Sequence, residues 1–327
     1  MTGLASPIEV DLLVIGAGPT GLYATYYAGF RGLSVALMDS LPEVGGQIAA
    51  LYPEKAIYDI AGFPAVRGQH LVDALNTQAQ AWNPTMLLGR SALTVLETPD
   101  YVEVGTDTGE VVRARALLIT AGIGTFTPRE LPAGSEYADR GLRYFVPRLA
   151  DLADLDVVIV GGGDSALDWA LSLESIARTV TLVHRRPQFR AHERTVEQVH
   201  ASTVQVLTPY EVARIGGDPV VAEVHLTSKT AEPLVLPAQA VVAALGFIAD
   251  LGPLESWGLE LRRRHILVDR TMRTNRARVY AAGDIADYDG KVKLISVGFG
   301  EAALAVNNLA PLVNPALTSV PGHSSDL

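Results

Sequence analysis

The 327-residue chain contains no cysteine, which removes several chemistries at once. Structural disulfides, thiolate metal sites and cysteine nucleophiles are excluded, and so is any dithiol relay. Lysine is nearly absent as well. Only four of the 26 basic residues are lysine, so any positive patch must be built from arginine. Positive charge is in deficit overall, and a formal net charge of −10 argues against broad nucleic-acid binding. No apolar run is long enough to span a bilayer, because Asp39, Glu43, Arg115 and Asp284 interrupt or bound the candidates. The opening MTGLASPIEVD leads straight into a strand, with neither a basic region nor a cleavage site. A soluble, cytoplasmic protein without a metal site is therefore expected.

What is present is a globular composition, 48% hydrophobic and 19% charged, over a length that suits two domains. The most informative stretch runs from Val157 to Glu193. The continuous apolar run Val157-Val158-Ile159-Val160 predicts a strand buried on both faces of a parallel sheet. Gly161, Gly162 and Gly163 follow, then Asp164-Ser165-Ala166, then a helical pattern through Leu167, Ala170, Leu171 and Leu173. A second strand, Val180 to Val183, ends in His184-Arg185-Arg186, with Arg190 close behind. This is the order of a dinucleotide-binding βαβ unit. Where such a unit usually sets a carboxylate against a ribose 2′-hydroxyl, this one sets guanidiniums. A 2′-phosphate would explain them, so the unit reads as an NADPH site.

An earlier stretch repeats the pattern with the opposite charge. Val10 to Ile15 predicts a strand, Gly16, Gly18 and Gly21 fit G-x-G-x-x-G, Leu22 to Ala28 has helical character, and the strand Leu33 to Met38 ends at Asp39. Glycines there let backbone approach a pyrophosphate at a helix N-terminus, and Asp39 can accept from ribose hydroxyls. Gly16 to Asp39 and Gly161 to His184 have the same spacing. The acidic unit suits the AMP half of FAD or NAD. Two nicotinamides would support nothing beyond transhydrogenation, whereas FAD in the first unit and NADPH in the second make a hydride path.

Between the units, Gly45 to Pro64 predicts a structured loop rather than a regular element, bringing Gln47 and Tyr52 to the ligand crevice. Tyr52 taken alone reads better as a core or surface aromatic. Gln69 to Ala81 predicts an amphipathic helix, and Arg90–Thr106 and Val111–Leu118 predict antiparallel strands. Residues 123–156 read as a linker, Val204–Leu207 and Val220–Thr227 as strand pairs, and Val241–Gly246 as a buried strand. Val279 to Asp284 is a further strand ending in an acid, followed by a helix over Ser296–Leu309. Asp284 suits either a flavin ribityl acceptor or a helix cap at a strand end. Arg262-Arg263-Arg264-His265 reads as a solvated turn or a docking patch. The expected fold is α/β, with two Rossmann-like three-layer dinucleotide-binding domains (FAD and NADPH), the second inserted in the first. The expected boundaries are 1–122, 123–246 and 247–327.

GAGPTGL at Gly16, GGGDSALDWAL at Gly161, HRR at His184 and AGD at Ala282 resemble the thioredoxin-reductase flavoprotein family. LYPEKAIYDIAGFP at Leu51 and GKVKLISVGFGEAALAVNN at Gly290 resemble, more narrowly, its ferredoxin–NADP⁺ reductase branch. The Cys-x-x-C that thioredoxin reductases carry just before GGGDSA is missing, and without a thiolate there is no disulfide attack. The resemblance implies FAD contacts at Gly16, Gly18, Thr20, Gly21, Asp39, Gln47, Tyr52, Ala92, Phe126, Asp284 and Ser325, with Tyr52 stacked on one flavin face and Ala92 contacting through backbone. It implies NADPH contacts at Gly161, Gly163, Asp164, Ser165, Ala166, His184, Arg185, Arg186 and Arg190. The tail GHSSDL resembles the family's C-terminal extension, which would put His323 over the second flavin face, with serine at Ser325 where relatives carry threonine. A homodimer is implied too. The implied reaction is hydride transfer from NADPH to FAD and two one-electron steps to ferredoxin, with no side-chain acid, base or nucleophile. The competing readings are an NADPH diaphorase reducing quinones or free flavins, and a non-catalytic redox-sensing flavoprotein. A flavin monooxygenase would need a substrate domain for which the chain has no room.

Overall fold

The structure, a computed structural model, describes residues 6–320. Among them are six α-helices: α1 (Pro19–Phe30), α2 (Gly46–Leu51), α3 (Gly68–Gln80), α4 (Asp164–Leu173), α5 (Glu193–Ala201) and α6 (Ile295–Val313). The chain divides into two compact units. Among the described residues, unit 1 takes 6–50, 56–125 and 249–320, and unit 2 takes 51–55 and 126–248.

Unit 1 is built on a seven-stranded sheet. Thr85–Leu88, Val35–Asp39, Ile8–Ile15 and Val111–Ile119 lie side by side in parallel. Their apolar runs exist because both faces are covered, and Leu12, Leu13, Val14, Leu117 and Leu118 have no exposed surface. Val111–Ile119 divides its outer edge between two partners. Its first half pairs antiparallel with Val102–Thr106, which continues to Ala92–Glu97, and its second half pairs parallel with Val279–Ala281. That last strand belongs to the returning chain, so the late segment completes the early sheet. α1 packs against both α3 and α6.

Unit 2 has three layers. Leu142–Arg143, Ala240–Ala244, Asp156–Gly161, Thr179–Val183 and Gln205–Leu207 form a parallel sheet in that order. Successive side chains alternate between its faces. Val157, Ile159, Val180 and Leu182 meet Leu167, Ala170 and Leu173 of α4 on one face. Val158, Val160 and Val183 meet Val212, Ile215, Val224 and Leu226 on the other. Those partners come from an antiparallel sheet of Glu211–Gly216, Glu223–Thr227 and Leu234–Pro237.

Several expectations change. The stretch from Gly45 to Pro64 is not wholly irregular, because α2 occupies its start. Gln205–Leu207 is the fifth strand of the parallel sheet rather than a partner of the Val220–Thr227 region, since it pairs with Thr181–Val183. Residues 123–156 are more than a linker, as Leu142–Arg143 supplies the opposite edge strand. The segment 51–55 is grouped with unit 2 instead of lying in a continuous first part. Its side chains explain this: Glu54 accepts from Leu149 N, Lys55 pairs with Asp168, and Tyr52 packs against the unit 2 core.

Candidate functional site

Each unit carries a glycine turn between a parallel strand and a helix, and in both turns the first glycine meets backbone while a later one faces open space. In unit 1 the Ile8–Ile15 strand runs into Gly16 at φ +108°, where an added Cβ would stand 2.5 Å from Thr120 O. At Gly21 an added Cβ would stand 1.8 Å from Gly16 O, so helix and strand can approach only through a missing side chain. The middle glycine differs. Gly18 has φ −71°, which any residue adopts, and a Cβ there would meet nothing within 4 Å. It caps α1 without any side-chain hydrogen bond, leaving the amides of the first turn for an outside acceptor. A cradle whose middle residue faces open space, beneath uncapped amides, fits a pyrophosphate.

The surroundings of that turn are dense. Thr120 Oγ1 donates to Ile15 O and Gly16 O at 3.0 and 2.8 Å, a brace that no sequence motif marks. Its only signal was a lone threonine after the buried run Leu117-Leu118-Ile119. Asp39 accepts from Ala17 N at 2.6 Å and Leu41 N at 2.8 Å. Burial pushes its carboxyl above the usual range, opposed by those two amides. Thr20 lies against both Gly283 and Gly298, since added Cβ atoms there would reach its Oγ1 at 2.9 and 2.4 Å. Gln47 lies against Gly122, and Gly46 against Gly18. The turn residues, Thr20, Gln47 and the Gly283–Asp284 turn therefore gather around one place. Asp284 presents a carboxylate without a partner among the described residues.

The remaining unit 1 expectations are placed less directly. Ala92 opens the Ala92–Glu97 strand and packs on the core, while two residues earlier Arg90 N donates to Asp39 O at 2.9 Å. Tyr52 is grouped with unit 2, where Lys55 Nζ sits 5.7 Å from its ring centre. His323 and Ser325 lie outside the described residues, as does the side chain of Phe126.

Unit 2 repeats the cradle. A Cβ on Gly161 would stand 2.4 Å from Ala244 O, Ala166 is fully buried in the third position, and Gly163 again faces open space at the start of α4. Two bonds tie the following loop to this turn: Arg190 N donates to Gly162 O at 2.7 Å, and His192 N to Asp164 Oδ1 at 2.9 Å. The His184 ring covers Gly162 and stacks on Phe189 at 5.5 Å. Its Nε2 is buried without a partner. Burial holds the imidazole below its usual range, and the nearby Arg185, Arg186 and Arg190 push the same way. Those three guanidiniums are exposed and make no ion pair among the described residues. Ser165 is exposed in the first turn of α4. A cluster of free guanidiniums beside a dinucleotide cradle is chemically suited to a phosphate.

A family model described as pyridine nucleotide-disulphide oxidoreductase matches residues 10–302. The chain belongs to the pyridine nucleotide-disulphide oxidoreductase family. It departs from the disulphide half of that name, having no cysteine. It is 62% identical, over 98% of each chain, to a ferredoxin–NADP reductase from Nocardioides sp.. Another relative of that name, from Frankia alni, is 62% identical over 96% of this chain and 98% of its own. Among solved structures, thioredoxin reductase from T. acidophilum is 25% identical with a TM-score of 0.79, covering 94% of this chain and 99% of that one.

Proposed function

We propose that this oxidoreductase is a ferredoxin–NADP⁺ reductase, binding FAD in unit 1 and NADPH in unit 2. The observation that carries the reading is the pairing of two like cradles with unlike ends, an acid at Asp39 and free arginines at Arg185, Arg186 and Arg190. The absence of cysteine removes the disulphide branch of the family. Bound FAD supplies the chemistry, accepting a hydride equivalent and releasing electrons singly. The protein's part is to hold and orient. Gly18 and the α1 amides take the FAD pyrophosphate, Asp39 accepts from the adenosine ribose, and Asp284 from the ribityl chain, with Gln47, Tyr52, Ala92, Phe126, His323 and Ser325 as further contacts. Gly163 and the α4 amides take the NADPH pyrophosphate, while the arginines take its 2′-phosphate.

The deciding experiment is stopped-flow reduction of the yellow protein by NADPH and by NADH, followed by addition of ferredoxin. Preferential reduction by NADPH and then rapid ferredoxin reduction is expected. Turnover with quinones or free flavins but not with ferredoxin would make the protein a diaphorase. Negligible turnover despite both cofactors binding would make it a sensor.

Asp39 gives this reading a pH dependence. Burial disfavours its charged form and raises the folded carboxyl above the ordinary range, so the stability this group contributes is present below the ordinary carboxylate range and is lost as pH rises through the shifted value. Ribose hydroxyls need the ionised form. FAD retention should therefore weaken on acidification before ordinary carboxylates titrate, and an Asp39→Asn variant should bind FAD more weakly with a flatter pH profile. Equilibrium dialysis across pH checks it, and an unchanged profile in the variant would remove Asp39 from the site.

The same reading places the enzyme in the cytoplasm as a homodimer. Tyr23, Tyr26, Tyr27 and Phe30 follow one face of α1, with Phe299 5.1 Å from Tyr23 and Trp82 edge-on to Phe30. Phe30 and Trp82 are each 45% exposed, an aromatic patch that suits burial against a second copy. A monomer mass by sedimentation equilibrium at working concentration would contradict it.

A further inference from the structure

Glu301 is the one charged residue among the described residues that is buried, at 3% exposure, and its partner Lys291 has a side chain only 5% exposed. Desolvating an ion pair costs several kcal/mol, and apolar side chains of similar size often serve stability as well or better. A charge retained on α6, amid ISVGFGEAALAVNN, therefore calls for a role other than cohesion.

The pair's hydrogen bonds to backbone meet at one residue, Gly283. Glu301 Oε2 accepts from Gly283 N at 2.8 Å, and Lys291 Nζ donates to Gly283 O at 3.0 Å. Glu301 Oε1 accepts from Lys291 Nζ and, at 2.6 Å, from the Tyr288 hydroxyl, whose proton is held so firmly that burial and this bond push its pKa up to about 12. Gly283 is left-handed at φ +79°, and side chains hold both its amide and its carbonyl. The next residue is Asp284, whose carboxylate is free. One turn earlier on the same helix, α6 approaches so closely that a Cβ on Gly298 would stand 3.5 Å from Gly283 Cα and 2.4 Å from Thr20 Oγ1.

We propose that the Lys291–Glu301 pair is a positioning clamp, which locks the Gly283–Asp284 turn to α6 and so fixes where Asp284 presents its carboxylate to the flavin ribityl chain. The proposal rests on the FAD reading of unit 1. Both clamp residues act through Asp284 and not by touching the cofactor.

A double-mutant cycle separates positioning from plain cohesion. Lys291→Met, Glu301→Gln and the pair Lys291→Met/Glu301→Leu are each made with Asp284 intact and with Asp284→Ala. The pair removes both charges together and is the variant to use if a single one fails to fold. The measurements are FAD Kd of the reconstituted apoprotein, the visible flavin spectrum and midpoint potential, and apoprotein Tm. With Asp284 present, each clamp variant should raise Kd by about tenfold or more and shift spectrum and potential; with Asp284→Ala the same change should be under about twofold. Equal losses in both backgrounds, tracking a lowered Tm, would reduce the pair to a structural one. Unchanged Kd, spectrum and potential in all three variants would also overturn the proposal. If the unaltered apoprotein binds no FAD, the reading of unit 1 itself falls, and that result is distinct from a failed cycle.

Discussion

Replacing Arg185 and Arg186 with alanine raises the KM for NADPH by roughly thirty- to a thousand-fold, at about 1–2 kcal/mol for each of the two exposed charged hydrogen bonds lost. NADH kinetics change little. The expectation follows from what these side chains lack. Both are exposed at the end of the Thr179–Val183 strand, and neither has a carboxylate partner among the described residues. Removing them should therefore leave folding intact and delete only what binds an added anion. NADH shares every part of NADPH except the 2′-phosphate, so the ratio of the two effects reads that group alone. Arg190 offers a control within the same loop, since its backbone N–H bonds Gly162 O and survives Arg190→Ala. Steady-state kinetics with both coenzymes check the prediction. Equal losses for NADPH and NADH would mean that the arginines hold the shared pyrophosphate.

The features legible in the sequence were those imposed by local sterics. Gly16, Gly21 and Gly161 meet backbone where a side chain would stand, and the strands before them are buried on both faces, so turn and strand had to be written into adjacent residues. The arginines were legible because their charge stands where an acid is usual. Less legible were features set by distant partners. Glu54 reaches Leu149, ninety-five positions away, and Tyr52 packs with the unit 2 core, so nothing near residue 52 indicates its grouping. Leu142–Arg143 is two residues long, too short to show periodicity, and is a strand only because Val241–Val242 lies beside it. Gln205–Leu207 reads the same whether its neighbour is parallel or antiparallel. The Lys291–Glu301 pair joins a loop to a helix across no regular repeat, and only a lone glutamate in an apolar helix hinted at it.

The two open glycines give the second large effect, and they separate the cofactors from each other. Gly18→Val should fold, because Gly18 has φ −71° and a Cβ there meets nothing within 4 Å. Gly163, at φ −103° with equally open space, should tolerate valine as well. The open space is where each pyrophosphate must lie to reach the uncapped amides of α1 or α4. A branched side chain there overpacks the bound complex by about 1–3 kcal/mol, which at ~1.4 kcal/mol per tenfold weakens binding by roughly ten- to a hundred-fold. Gly18→Val should thus purify with little flavin and an apoprotein Tm close to that of unaltered apoprotein. Gly163→Val should stay yellow, lose affinity for NADPH and NADH alike, and so differ from the arginine variant, which discriminates between them. Gly16→Val supplies the contrast: its Cβ would strike Thr120 O, and the chain at φ +108° resists any side chain, so its loss should appear as lowered Tm. Flavin content, coenzyme titration and thermal melts of the three variants read these outcomes together. Retention of flavin in Gly18→Val at unaltered affinity would place the pyrophosphate elsewhere and undo the assignment of unit 1. Loss of flavin in Gly163→Val would undo the separation of the two sites, because that cradle would then be serving the wrong cofactor.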